Sequence, residues 1–186
     1  MKYFLSATVG FVLLWLFSLF IAQPFVIPSG SMQPALDPGD RILVNRTAYW
    51  SAPIARGDLV VFDGADSFSV DPGDFVKRVI GVSGDRVACC TDTGQISVNG
   101  IPLDESSYLF PADTSSESQF DVLVPEGKLW LLGDHRSQSA DSRSHLGDPG
   151  GGFVLESKVV GKARYIIWPP ARWQLLDSHS FKEMVD

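Results

Sequence analysis

A long uncharged stretch at the N-terminus is the strongest constraint on how this chain can fold. From Tyr3 to Ile27 no charged side chain occurs, and leucine, phenylalanine, valine and isoleucine dominate. As a helix, this run would exceed the roughly 30 Å hydrocarbon core of a bilayer. The alternative is a cleaved signal peptide, but its apolar region is usually only about 7–15 residues long, and no good small-residue cleavage site follows. We therefore predict an uncleaved transmembrane anchor over residues 1–27.

The charge beside this stretch predicts its orientation. Lys2 and the amino terminus favour a cytoplasmic N-terminus. Residues 28–186 would then form an extracytoplasmic β domain, and these roughly 160 residues suffice for one core domain with an insertion. We expect a single-pass protein of the plasma (inner) membrane that has the lipid bilayer as one partner.

The amino-acid composition narrows the classes of partner that this chain could bind. Among 186 residues, 15 lysines and arginines face 22 aspartates and glutamates without a basic cluster, which argues against nucleic acid. Two cysteines and three histidines are too few and too badly spaced for a zinc site, so we expect no metal. The adjacent Cys89 and Cys90 could close a strained vicinal disulfide, but two separate strand residues are the favoured interpretation.

Turn residues and short apolar runs beyond residue 34 predict a mainly β domain. Gly-Asp pairs border apolar, β-branched runs, and Asn99-Gly100 is a strong hairpin signal. No long amphipathic period appears, which argues against a helical domain. The predicted strands are Ile42–Val44, Leu59–Phe62, Phe75–Val82, Val87–Cys89, the hairpin Ile96–Leu103, Phe120–Val124, Lys128–Leu132 and Val159–Ile167.

The segment Pro28–Pro34 follows the apolar run directly and contains two serines around a glycine. Glycine permits close approach of backbone or ligand, and the prolines stiffen both flanks. Such a loop can hold a serine hydroxyl in one place. A role in nucleophilic catalysis would require a base elsewhere in the chain.

Lys77 is a candidate for that base. In a strand it shares one face with Phe75 and Val79. It could be a surface lysine whose stem covers apolar neighbours. Alternatively, burial would lower its pKa from about 10.4 towards about 8, where about a tenth of the amines are neutral at pH 7. A buried lysine beside a serine hydroxyl is one way to activate that nucleophile.

The polar segment Gly133–Arg143 follows an apolar run and should leave a strand end. It could be a surface turn tied by Asp/Arg pairs, which stabilise little. It could instead supply a serine that orients a lysine amine, braced by carboxylate–guanidinium contacts. His135 beside Asp134 also permits a Ser/His/Asp triad, but Ser31 lacks the Gly-x-Ser-x-Gly elbow of α/β-hydrolases. We favour the lysine over the triad.

Together these segments resemble the bacterial type I signal peptidases, membrane-anchored Ser/Lys proteases that remove signal peptides from exported proteins. The resemblance implies a signal-peptidase/LexA-like fold, an antiparallel β catalytic core with a small inserted β subdomain at about residues 90–125. The chain departs from the family at Ala35 and His135, where threonine and asparagine are usual. The matching segments are Ile27–Pro34, Gly39–Val44, Arg56–Phe62, Asp74–Asp85 and Gly133–Arg143.

The resemblance also implies the roles of individual residues. Ser31 would be the nucleophile, Lys77 its general base, and Ser139 would orient the lysine amine. The Ser29 hydroxyl and the backbone N–H of Ser31 would form the oxyanion hole. No metal or organic cofactor is implied.

Further residues would support the site or line the substrate groove. The bracing pairs implied by the resemblance are Asp141 with Arg143 and Asp134 with Arg136, while Arg78 would have a structural role. The implied substrate-binding residues are Ile27, Pro28, Ile42, Val61, Asp74 and Val76.

The resemblance predicts a membrane-bound serine endopeptidase that cleaves signal-peptide-bearing preproteins after small residues of the Ala-x-Ala type. One alternative is a catalytically inactive, membrane-tethered β domain that binds a partner, although such a domain would lack Ser31 or Lys77. Another is a self-cleaving repressor-type Ser/Lys protease, which should carry a DNA-binding domain instead of an anchor. Trp168 and Trp173 could form an interfacial patch or be ordinary core residues.

Overall fold

The computed structural model describes residues 20–69 and 73–176. In this part the chain forms twelve strands and three short 3₁₀ helices. The helices are Arg136–Gln138, Glu156–Lys158 and Pro170–Arg172. The strands are β1 (Ala22–Val26), β2 (Arg41–Asn45), β3 (Leu59–Asp63), β4 (Asp74–Gly81), β5 (Arg86–Cys89), β6 (Ile96–Val98), β7 (Ile101–Pro102), β8 (Phe120–Leu123), β9 (Lys128–Leu132), β10 (Val154–Leu155), β11 (Val159–Trp168) and β12 (Gln174–Leu175).

The strands form two antiparallel sheets, which confirms the prediction of a mainly β fold. The larger sheet has the order β1-β2-β11-β3-β4-β9-β10, with β12 also paired to β11, and the smaller sheet has the order β7-β6-β5-β8. A cluster that includes Ile80, Val87 and Trp130 packs one sheet against the other. Each predicted strand is present with its ends within one residue of the prediction. Asn99 and Gly100 both have positive φ, as an Asn-Gly hairpin turn requires.

The beginning of the described chain differs from the prediction. Ala22–Val26 form β1, which pairs with β2 from Ala22 opposite Asn45 to Val26 opposite Arg41. A helical anchor that extends to Ile27 is therefore wrong for these residues, because an edge strand satisfies their backbone groups on β2. Residues 1–19 of the predicted anchor lie outside the described residues. Within residues 20–69 and 73–176, no helix is both long and apolar enough to cross a membrane.

Strand β4 lies in the interior of the larger sheet and carries two neighbouring basic residues. Lys77 is opposite Val60 of β3, and Arg78 is opposite Leu59. Arg78 is also opposite Leu132 of β9 on the other side. Because successive side chains of a strand point to opposite faces, the two charges are directed to opposite sides of the sheet.

The cysteine pair at the end of β5 is bonded. Cys89 and Cys90 form a disulfide between adjacent residues, across a cis peptide. The interpretation as two separate strand residues is therefore wrong. The backbone at the strand end brings the two sulfur atoms together, and an apolar strand pattern does not report on that local geometry.

Two tryptophans near the end of the described chain remain at the surface. Trp168 is 52% exposed and Trp173 is 67% exposed, so the interpretation as core residues is wrong. Trp168 is opposite Arg41, which is in turn opposite the exposed Val26 of β1. The exposed aromatic rings therefore lie on the side of the sheet where β1 leads into the serine-bearing segment.

Candidate active site

The segment Pro28–Pro34 is a tight turn that presents a buried serine. The backbone N–H of Gln33 donates to Gly30 O at 3.0 Å. A Cβ atom on Gly30 would lie 2.8 Å from Gln33 Oε1, so a larger residue at this position would displace the end of the Gln33 side chain. Ser31 is buried in this turn, and Ser29 Oγ lies 3.4 Å from Ser31 Oγ.

Strand β4 brings Lys77 to this serine. Lys77 is 3% exposed, and its Nζ donates a hydrogen bond of 2.8 Å to Ser31 Oγ. Burial lowers the pKa of Lys77 to about 8, although the Asp141 and Asp134 carboxylates act to raise it. At this pKa about a tenth of the amines are neutral at pH 7, which makes Lys77 able to accept a proton. The interpretation of Lys77 as a surface lysine is therefore wrong.

The loop after β9 packs against the backbone of the same serine. The backbone N–H of His135 donates to Ser31 O at 3.1 Å. A Cβ atom on Gly133 would overlap Ser139 Oγ and would lie 2.5 Å from Ser31 O. The close approach therefore requires glycine, and the two loops hold each other in one geometry.

Ser139 lies next to Gly133, where this loop packs against Ser31, but its hydroxyl makes no hydrogen bond with Lys77. Its side chain is buried, and its Oγ has no hydrogen-bond partner among the described residues. The hydrogen bond recorded for Lys77 Nζ goes to Ser31 Oγ instead. The orienting role of Ser139 therefore stays a prediction, based on proximity.

The loop is closed by an ion pair between Asp141 and Arg143. Arg143 Nε donates to Asp141 Oδ1 at 2.9 Å, and Arg143 Nη2 donates to Asp141 Oδ2 at 2.8 Å. Asp141 Oδ2 also accepts from the backbone N–H of Gly133 at 3.1 Å. The first and last parts of the loop are therefore tied to one carboxylate.

The predicted pair between Asp134 and Arg136 is wrong. Asp134 accepts two hydrogen bonds from Arg78, at 2.7 and 2.6 Å, and Arg136 pairs with Glu105 at 2.5 Å. Burial disfavours the charge on Arg78, but Asp134 outweighs this effect and raises the pKa of Arg78. Asp134 and Arg136 therefore each pair with a residue from another element, and this pairing depends on how the elements pack in three dimensions.

The geometry does not support the Ser/His/Asp alternative. His135 Nδ1 lies 3.2 Å from Gly30 O, and the imidazole stacks on Phe110 at 3.8 Å between ring centroids. Both carboxylate oxygens of Asp134 are bound by Arg78. Among the described residues, no hydrogen bond joins the His135 ring to Ser31 Oγ.

A cavity of about 330 Å³ opens beside the serine and the lysine. Ile42 is not among the residues that line it and packs in the core cluster with Val44 and Ile166, so its prediction as a substrate contact is wrong. The predicted residues that do line the cavity are Ile27, Pro28, Val61, Asp74 and Val76. Its remaining wall residues are Phe25, Val26, Ser29, Ser31, Met32, Phe75 and Lys77.

Sequence reasoning missed part of this wall for identifiable reasons. Phe25 and Val26 were assigned to the anchor and therefore removed from the domain. Phe75 lies between the predicted Asp74 and Val76, and strict alternation of faces would exclude it. Glu105, the partner of Arg136, is not part of this wall but was also missed. It follows β7 of the smaller sheet, and only its charge suggested a role.

Residues 1–168 match the family described as signal peptidase, peptidase S26. The chain belongs to this family. It is a serine protease family, and the resemblance drawn from the motifs is thereby confirmed.

Individual signal peptidases are similar over most of the chain. Signal peptidase I of Mycobacterium tuberculosis (strain CDC 1551 / Oshkosh) is 38% identical over 218 residues, which cover 92% of this chain and 74% of the relative. The probable signal peptidase I of Mycobacterium leprae is 35% identical and covers 92% of this chain and 77% of the relative. Signal peptidase IB of Staphylococcus aureus (strain COL) is 33% identical, with 91% and 90% covered.

A solved structure of a signal peptidase I, from Enterococcus faecalis V583, also aligns with this chain. The TM-score is 0.44 at 26% sequence identity, and the alignment covers 59% of this chain and 95% of the other.

Proposed function

We propose that this chain is a membrane-bound serine endopeptidase that removes signal peptides from exported preproteins, with Ser31 as nucleophile and Lys77 as general base. The observation that carries the proposal is the 2.8 Å hydrogen bond between the buried Lys77 Nζ and Ser31 Oγ at the edge of an apolar cavity. A lysine with a lowered pKa and a serine within hydrogen-bond reach match the requirements of an activated nucleophile. An inactive binding domain would have no need of this pair.

The reaction would proceed in two halves. Neutral Lys77 removes the hydroxyl proton of Ser31 while Ser31 Oγ attacks the carbonyl carbon of the scissile peptide bond. The Ser31 N–H and the Ser29 hydroxyl hold the resulting oxyanion, and Lys77 returns the proton to the leaving amine. Water, activated by the same amine, then hydrolyses the acyl-enzyme and restores Ser31.

The residues around the dyad would keep this geometry. Ser139 is buried next to Gly133 and Ser31, and its hydroxyl, which has no hydrogen-bond partner among the described residues, would orient the lysine amine. The Asp141–Arg143 and Asp134–Arg78 pairs fix the loop and strand that meet at the dyad. Preorganised contacts of this kind reduce the reorganisation needed in the transition state.

The substrate would bind as an extended segment beside the cavity. Within the described residues, Asp74 to Val76 of β4 pair with β3 on one side, whereas the pairing of β4 with β9 begins at Arg78. The other edge of this part of β4 can therefore pair with a peptide, as in β-strand addition. The limited, mostly apolar cavity suits small side chains, in agreement with an Ala-x-Ala recognition sequence.

Membrane placement would bring this groove to the site where a signal peptide leaves the bilayer. Because β1 occupies Ala22–Val26, the chain between the proposed anchor and Ser31 can span up to about 30 Å. The exposed Trp168, which lies across β2 from the end of β1, and Trp173, which donates to Ile167 O, would supply a second contact, since tryptophan favours the membrane interface. We place the domain on the extracytoplasmic side.

The proposal is tested with the purified full chain in lipid vesicles and a preprotein that carries an Ala-x-Ala site. We expect one cut directly after the last alanine, identified by the mass of the mature product. Replacement of that alanine by phenylalanine should reduce cleavage about 100-fold or more, because the proposed Ala-x-Ala specificity admits only a small side chain at this position. Absence of cleavage, or equal cleavage of both preproteins, would contradict the proposed function.

The lowered pKa of Lys77 predicts the pH dependence of cleavage. Since the neutral amine is the reactive form, kcat/KM should rise about tenfold per pH unit below about pH 8 and level off above it. The profile is measured with the same preprotein and with folding monitored at each pH. A rise centred near pH 6.5 would indicate a histidine base, and one near pH 10 an exposed lysine; either result would exclude the proposed environment of Lys77.

A further inference from the structure

A buried ion pair joins the smaller sheet to the loop that contacts Ser31. Arg136 Nη2 donates to Glu105 Oε1 at 2.5 Å, and the two side chains are only 2% and 3% exposed. Glu105 follows β7 of the smaller sheet, whereas Arg136 lies in the loop after β9 of the larger sheet. Burial disfavours the charge of Arg136, but Glu105 outweighs this effect and raises the pKa of Arg136. The pair is therefore a charged contact between the two sheets.

Through this pair, the smaller sheet holds the backbone of the loop Gly133–Arg143, which contacts Ser31. Arg136 Nε donates to Gly133 O at 2.9 Å, and Nη1 donates to Ser115 O. Arg136 O accepts from Arg143 Nη2 at 2.9 Å. Gly133 is the residue that approaches Ser31 O too closely to carry a Cβ atom. A movement of Arg136 would therefore displace Gly133, and with it the backbone that packs against Ser31.

A second series of contacts runs from Glu105 through Tyr108 to Arg78 of β4. Tyr108 donates its hydroxyl hydrogen to Glu105 Oε1 at 3.0 Å, and its ring lies 4.3 Å from the guanidinium carbon of Arg78. Burial, reinforced by Glu105, raises the pKa of Tyr108, so the phenol stays protonated and able to donate. Arg78 follows Lys77 directly in β4 and binds Asp134 of the loop. The first route thus ends at Gly133, which contacts Ser31 O, and the second ends at Arg78, the neighbour of Lys77 in β4.

Stability alone gives little reason for this arrangement. A buried ion pair usually contributes little net stability, since desolvation of both charges offsets their attraction. Neither Glu105 nor Arg136 lines the cavity beside Ser31, so neither is expected to bind substrate. We infer that Glu105 is a positioning residue for the reaction at Ser31 and Lys77, acting through Arg136; the inference rests on the proposed function.

The first test replaces Glu105 by glutamine in the full chain, which keeps the shape and an acceptor for Tyr108 but removes the charge. We expect kcat for preprotein cleavage to fall about 10- to 100-fold, as for a small displacement of catalytic groups, with KM changed less than about twofold. The matched control is Asp121→Asn, which removes an exposed carboxylate paired with Arg86 in the same sheet. This control should retain wild-type kcat.

The second test separates positioning from a general effect on folding. In the double variant Glu105→Leu/Arg136→Met, apolar side chains replace both charges, so the midpoint of thermal unfolding should return close to that of the wild type. We expect kcat to stay low, because Gly133 and Ser115 have lost their donor. Recovery of kcat together with stability would overturn the inference, as would an unchanged kcat in Glu105→Gln. If the wild type itself leaves the preprotein uncut, the proposed function fails first and the inference fails with it.

Discussion

Replacement of Lys77 by methionine is expected to reduce preprotein cleavage by about 10⁴-fold or more, as removal of a catalytic base does in other serine proteases. Methionine fills a similar volume in the buried site but cannot accept the proton of Ser31. Lys77→Arg should be equally inactive, since a guanidinium remains protonated at any usable pH. The measurement compares initial rates of product formation with those of Ser31→Ala, which defines the background.

A surface lysine serves as the control for this substitution. Lys158 forms a partly exposed pair with Asp63, and Lys158→Met should leave the rate within about twofold of the wild type. Substantial cleavage by folded Lys77→Met would exclude the lysine as base. If His135→Gln then abolished that residual cleavage, the histidine would take the role that we assign to Lys77.

Replacement of Asp134 by asparagine is expected to lower the free energy of unfolding by about 3–5 kcal/mol, because it leaves a buried guanidinium without its counter-charge. Arg78 and Asp134 are both about 1% exposed and share two hydrogen bonds. Neither group can recover its interaction with water when the other is lost. Urea unfolding of the full chain in detergent micelles measures the loss.

The exposed pair between Arg86 and Asp121 again provides the comparison. Asp121→Asn should leave the free energy of unfolding close to that of the wild type, since solvent screens this pair. A loss below about 1 kcal/mol in Asp134→Asn would mean that Arg78 finds another partner. It would also mean that the contact between β4 and the loop does not depend on this carboxylate.

Local patterns were sufficient for most of the fold. Apolar runs bordered by Gly-Asp pairs predict the strands of both sheets, and Asn99-Gly100 predicts the hairpin, because turn geometry depends on a few adjacent residues. The pattern failed at Ala22–Val26, which are uncharged like the residues before them but less apolar, because they include Gln23 and Pro24. The absence of charge does not separate a membrane helix from an edge strand, and the pairing of β1 is visible only with its partner β2.

Pairing of charges was the least predictable part of the site. Asp134 and Arg136 lie close in sequence, and the family resemblance suggested a pair, yet each binds a residue from another strand or loop. Pairing requires that two side chains point to the same place, and this depends on how the sheets pack. The same reason explains why Ile42, in a matching segment, is a core residue and not part of the cavity wall.

By itself, the sequence determined the β architecture, the segment Pro28–Pro34 and the candidate pair Ser31 and Lys77, because strand period, turn residues and motif order are properties of the chain itself. Only the tertiary structure decided that these two side chains meet, although they are 46 positions apart, and that burial makes the lysine a usable base. The pKa of a lysine depends on what surrounds it in space. Those surroundings, and the contribution of Glu105 to them, exist only once both sheets have packed around the site.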